Sequence, residues 1–223
     1  MKALIVGAGP GLSASFARKL AEAGYAVALA ARRTEKLAGL AAATGATLHT
    51  CDAADPAAVA ALFQSVPSPD VVLYNASYRV RGPFIGLDPA EVAKTLSVSA
   101  FGAFLVAQQA ARSMLPAGQG AILLTGASAG VKGYPQSAPF AMGKFALRGL
   151  AQSMARELHP QGIHVIHVVV DGGIRAAARP DPSEKPDSLL DPDAIAQTML
   201  DVLRQPRSCW TDEIAVRPWV ERF

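Results

Sequence analysis

The sequence predicts an α/β fold: a doubly wound, mainly parallel sheet in a single domain spanning residues 1–223. Three observations carry this. Short β-rich runs alternate with longer helical patterns along the chain. The β-rich runs read as continuously apolar rather than alternating, as strands buried on both faces of a parallel sheet do. Apolar residues make up 51% of the chain and charged residues 17%, enough to cover such a sheet on both sides. Right-handed βαβ crossovers follow from that alternation.

The elements come in order. A strand over 3–6 runs into Gly7-Ala8-Gly9-Pro10-Gly11-Leu12-Ser13, and a helix over 11–23 follows, stopped by Gly24. A strand over 26–30 leads to a helix over 34–43, with Thr34 as its cap and Gly45 behind it. After a strand over 47–50, Cys51 reads as a core residue. Asp55-Pro56 gives an N-cap followed by proline at the first helical position, so a helix spans 56–66; Asp88-Pro89 does the same for 89–115. A strand over 71–74 lies between these two helices. A strand over 121–125, a helix over 136–159 and a sixth strand over 164–170 complete the pattern. Residues 175–193 differ, holding Pro180, Pro182, Pro186 and Pro192 among charged residues. They follow the C-terminal end of the sixth strand, the edge where such sheets bind ligands, so they read as a lid-like surface loop.

Composition excludes several classes. The net charge is +3, from 21 basic and 18 acidic residues, with no Lys/Arg block, so no nucleic-acid partner is expected. Two cysteines, Cys51 and Cys209, suit inert thiols in a reducing cytoplasm. The start of the chain has no signal-peptide layout, and no segment approaches the ~20 apolar residues of a membrane helix, so no membrane association is expected. His159, His164 and His167 form no metal pattern; the last two sit at odd spacing on one strand and face opposite sides. No metal is expected.

The glycine segment carries the chemistry. Gly7 permits a tight turn, and Gly9 and Gly11 leave room for a pyrophosphate against the backbone. The N-terminus of the helix over 11–23 offers free N–H groups and a positive dipole end. An NAD site usually places an acid at the end of the second strand, on the ribose 2′-hydroxyl. This chain has Arg32-Arg33 there, and two guanidinium groups suit the 2′-phosphate of NADP(H).

These features resemble the short-chain dehydrogenase/reductase family over nearly the whole chain, which implies a Rossmann-type fold. Gly7 and Gly11 match the family's glycine loop, with Gly9 an added glycine and Val6 and Ser13 in place of its Thr and last Gly. Asp52 and Ala53 match the family's adenine contact. Asn75-Ala76-Ser77 resembles its Asn-Asn-Ala-Gly. Asp171-Gly172-Gly173 stands where the family has Pro-Gly, which implies cofactor contacts from Gly173 and Ile174. The tail over 209–218 resembles the family's last strand, making seven. The resemblance also implies a homodimer or homotetramer.

The family's chemistry rests on Ser, Tyr and Lys. Lys144 matches, with the further role of holding the cofactor ribose. Phe140 stands at the Tyr position, Ala127 at the Ser position with Ser128 one residue later, and Ser99 at the helper Asn position. The alternative hydroxyls are Ser128 and Tyr134, with Tyr78 and Ser137 as further donors. Three functions stay open. One is an NADP(H)-dependent oxidoreductase that reduces a small-molecule carbonyl, imine or activated alkene with a non-standard proton donor. The others are a silent NADP(H)-binding protein and a non-redox cyclase or isomerase on the same scaffold.

Overall fold

The computed structural model describes residues 1–221. Its strands are β1 (Lys2–Val6), β2 (Ala26–Ala31), β3 (Thr47–Thr50), β4 (Val71–Tyr74), β5 (Gly120–Thr125), β6 (Ile163–Val170) and β7 (Glu213–Val216). They form one seven-stranded sheet in the order β3-β2-β1-β4-β5-β6-β7. Every pairing is parallel. The helices are α1 (Leu12–Glu22), α2 (Ala38–Thr44), α3 (Pro56–Ser65), α4 (Pro89–Leu96), α5 (Gly102–Met114), α6 (Ala138–Leu158) and α7 (Pro192–Leu203).

Side chains alternate along each strand, so the sheet buries two cores. Leu4, Val72, Ile122 and Val165 face α3, α5 and α6. Ile5, Leu73, Leu123 and Ile166 face α1 and α7. Each such fully buried side chain contributes roughly 1.5–3 kcal/mol. The rule of continuous apolar runs fails at β3: Thr47-Leu48-His49-Thr50 is a mostly exposed edge strand, held by one neighbour.

Asp55 and Asp88 cap α3 and α4 as expected, each accepting from the N–H two residues on. Thr34 does not cap; residues Glu35–Leu37 instead form a 3₁₀ turn that runs into α2. The expected long helix over 89–115 is also divided. α4 passes through a π-turn at Ser97–Phe101 before α5 begins. Together Pro89–Ala117 is long and apolar enough, by length and composition alone, to cross a membrane, against the sequence expectation. Its Ala103, Val106, Ala107, Ala110 and Met114 are buried in the first core, which is the position of a core helix.

The lid-like stretch is shorter than expected. Asp191 accepts a hydrogen bond from the Asp193 N–H and starts α7 at Pro192, inside the segment read as loop. What precedes it is held by Arg175, which bonds Asp191 at 2.5 Å and reaches Asp181 at 3.4 Å.

Candidate functional site

The strand order reverses between β1 and β4, which opens a crevice at the C-terminal edge of the sheet. The glycine loop lies there. Gly7 has φ +82°, and a Cβ on it would stand 2.2 Å from the Ala76 nitrogen, so glycine is required. The N–H groups of Gly7 and Ala8 both donate to the Ala30 carbonyl. Ser13, in place of a glycine, ties the loop to β4: its hydroxyl donates to the Gly7 carbonyl and accepts from Asn75 Nδ2 at 2.7 Å. A Cβ on Gly9 or Gly11 would meet nothing within 4 Å, so the loop's outer face is open. No acid sits in the first turn of α1 to offset its dipole.

Two clefts occupy this edge and meet at Asn75 and Ser77. The smaller, about 330 Å³, is floored by Gly7, Gly9 and Pro10. Arg32 and Arg33 wall it after β2, Asp52 and Ala53 after β3, and Asn75 and Ala76 after β4. Gly11 and Leu12 do not line it; they form the start of α1 behind the loop. Lys36 lines it too and was missed, although it follows Arg32-Arg33 by only three residues.

The larger cleft, about 660 Å³, collects Ser128, Tyr134, Lys144, Gly173 and Ile174. Lys144 is 4% exposed, and its Nζ donates to the Thr125 carbonyl at 2.6 Å. Burial without a carboxylate pushes its ammonium down to about 8. Phe140, one helical turn earlier, places its ring 5.8 Å from Nζ. Ala127 also lines the cleft, and Ser99 is fully buried in the π-turn, accepting from the Tyr78 N–H.

Among the hydroxyls, Ser128 and Tyr134 stand in the cleft, and Ser137 is buried there with no hydrogen-bond partner for its Oγ. Tyr78 is not a cleft donor: its hydroxyl donates to Glu91 at 2.5 Å, and its ring packs under Lys94. Three arginines also line this cleft, Arg79, Arg81 and Arg179. Sequence reading passed over them because they lie in two loops a hundred residues apart, and only the fold joins them.

His164 and His167 are buried within the fold. His164 stacks on Trp210 with centroids 4.5 Å apart. His167, on the opposite face, bonds Glu213, which in turn pairs with Arg148 through two bonds of 2.6 and 2.7 Å. Burial lowers the pKa of His167, against the opposing pull of its hydrogen bond to Glu213. Gly126 accommodates it, since a Cβ there would lie 2.3 Å from Nε2.

A doubly wound parallel sheet with a glycine loop at the strand-order reversal defines a Rossmann-type nucleotide-binding protein. Residues 1–185 match the family model described as short chain dehydrogenase, and the chain belongs to that family of oxidoreductases. An uncharacterized oxidoreductase of Staphylococcus aureus is 28% identical, covering 97% of this chain and 96% of its own. The crystal structure of a short-chain dehydrogenase from Rhodopseudomonas palustris is 32% identical with a TM-score of 0.85, covering 98% of each chain. A metagenomic short-chain oxidoreductase solved with NADP is 30% identical with a TM-score of 0.86, covering 99% of this chain and 98% of that one.

Proposed function

We propose that this chain is an NADP(H)-dependent oxidoreductase that reduces a small-molecule carbonyl, imine or activated alkene, with a proton donor other than the family's tyrosine. The observation that carries the reading is the basic wall of the smaller cleft. Arg32, Arg33 and Lys36 follow β2 along one wall of this cleft, and the one carboxylate in its lining, Asp52, follows β3. That donor set suits a phosphate dianion. The glycine loop fits the rest of the nucleotide: its outer face is open, and the N-terminus of α1 carries an uncompensated positive end. Asp52, Ala53, Asn75 and Ala76 line the adenine and ribose side, while Gly173 and Ile174 line the nicotinamide side.

A nicotinamide bound here would supply or accept hydride. The protein's own residues do the remainder. Lys144 holds the ribose hydroxyls from a buried position. Ser128 and Tyr134 present hydroxyls to the substrate, with Ser137 behind them. Arg179 of the loop over 175–191 lines the larger cleft. Exposed Phe104 on α5 and Met142 and Phe145 on α6 provide apolar surface for a homodimer or homotetramer, in the cytoplasm. Phe140 and Ala127 favour a second reading, a catalytically silent NADP(H)-binding protein.

The double variant Arg32→Ala, Arg33→Ala tests the cofactor. NADPH affinity is expected to fall at least tenfold by titration, each lost charge-assisted contact removing about 1.5–3 kcal/mol, while NADH affinity stays within about twofold. Unchanged NADPH affinity would sink the NADP(H) assignment. A panel of carbonyls, imines and activated alkenes tests the chemistry. The expected result is NADPH oxidation with at least one class, lost in Lys144→Met. Tight NADPH binding with no turnover on any class favours the silent reading instead.

A further inference from the structure

We propose that Arg79, Arg81 and Arg179 form an anion subsite in the larger cleft, so that the substrate carries a carboxylate or phosphate group. That the ligand is a substrate rests on the oxidoreductase reading, but the subsite itself stands on geometry. All three arginines line the same cleft as Lys144, Ser128 and Tyr134. None of them forms a salt bridge among the described residues. The contrast lies on the same loop: Arg175, four residues before Arg179, is taken up by Asp181 and Asp191. The lining holds one carboxylate, Glu221, and it pairs with none of the three.

The arginines are also positioned. The Arg79 guanidinium lies 4.7 Å from the centroid of the Phe140 ring, a cation–π contact at the cleft wall. Arg179 lies against the backbone at Gly173, where a Cβ would come within 2.3 Å of its Nη2. Burial, and then the like charges of Arg81 and Arg179, lower the pKa of Arg79. Like charges gathered without a counterion raise the energy of the free protein, and an oxyanion relieves that while accepting bidentate bonds. Ser137 adds a second, independent sign of a ligand: the residue is 3% exposed and part of the same lining, and its buried hydroxyl has no hydrogen-bond partner.

This gives Phe140 a use. A phenyl ring at that position offers a platform for Arg79 and borders Lys144. The site then recognises its substrate by charge, where a purely apolar cleft would select by shape alone.

The test is binding of small anions to the protein loaded with NADP⁺, read by calorimetric titration. Benzoate and phenyl phosphate are the probes, and benzamide is the neutral control of similar shape. At least one anion is expected to bind ten or more times tighter than benzamide. Arg79→Gln and Arg81→Gln are each expected to weaken that binding about tenfold, with NADP⁺ affinity within twofold of the parent. Arg79→Lys keeps the charge but not the fork, and is expected to recover only part of the loss. Equal binding of anions and benzamide overturns the subsite. So does a parallel loss of NADP⁺ affinity in the glutamine variants, which would assign the arginines to the cofactor phosphates. Anion binding as expected, with no NADPH turnover on any panel substrate, upholds the subsite and removes the oxidoreductase reading alone.

Discussion

Phe140→Tyr combined with Ala127→Ser is expected to raise kcat/KM for NADPH-dependent reduction of an aromatic aldehyde by about 10²-fold, because a positioned general acid supplies about 10²–10⁴-fold in rate. The structure is prepared for the change. Lys144 stays buried, and its ammonium is already depressed to about 8. Its Nζ lies 5.8 Å from the ring centroid at residue 140, close enough for a cation to lower the pKa of a phenol placed there. Ala127 lines the same cleft, so a serine hydroxyl there can share the oxygen that the phenol protonates. Steady-state kinetics with saturating NADPH checks this, with NADPH affinity measured alongside. A gain below about tenfold at unchanged NADPH affinity would mean that proton supply does not limit turnover. Ser99 would then be the missing group, because its hydroxyl is buried and already accepts from the Tyr78 N–H.

Most of the fold was legible, because parallel strands covered on both faces write themselves as apolar runs. β4 and the buried body of β6 were placed to within a residue on that signal alone. The same signal misdescribed β3, whose edge position frees it from carrying apolar residues on both faces. α7 shows a different failure. Asp191-Pro192 repeats the Asp-Pro pair that marks α3 and α4, and its aspartate caps in the same way. The surrounding prolines and charges masked it, since loop composition and helix start share those residues. The π-turn at Ser97–Phe101 had no periodic signature, because one extra residue in a turn shifts the apolar face without interrupting it.

The candidate site divides along the same line. Gly7, Arg32, Arg33, Asp52 and Asn75 all lie just after strand ends, and strand ends are what periodicity locates best. Arg79, Arg81 and Arg179 lie mid-loop. Their meeting depends on how the loop after β4 and the loop after β6 fold toward each other, and local patterning says nothing of that. Tyr78 shows the converse. Its place after β4 suggested a cleft donor, but one hydrogen bond to Glu91 commits its hydroxyl elsewhere.

Substitution of two loop glycines separates folding from cofactor binding, and here the expected effects are large and opposite in kind. Gly7→Ala places a methyl 2.2 Å from the Ala76 nitrogen and 2.5 Å from its Cα, at a φ of +82°. Both obstacles are backbone, so relief requires the β1–α1 loop and the end of β4 to part. That also stretches the Asn75–Ser13 bond. A stability loss of about 3 kcal/mol is expected, from overpacking at about 1–3 kcal/mol plus about 1 kcal/mol for the unfavourable φ. Gly9→Ala meets nothing within 4 Å and has no positive φ, so its stability is expected to stay within about 0.5 kcal/mol of the parent. Its methyl projects into the open face where a pyrophosphate must approach the backbone. NADPH affinity should therefore fall at least tenfold in a fully folded protein. Urea denaturation and NADPH titration on both variants read the two quantities independently. A Gly9→Ala protein that binds NADPH like the parent would show that the open face above the loop is not the phosphate seat. Equal stability of Gly7→Ala and the parent would show that the loop is free to move away from β4. In that case Ser13 and Asn75, which join them, would not be what holds the crevice in shape.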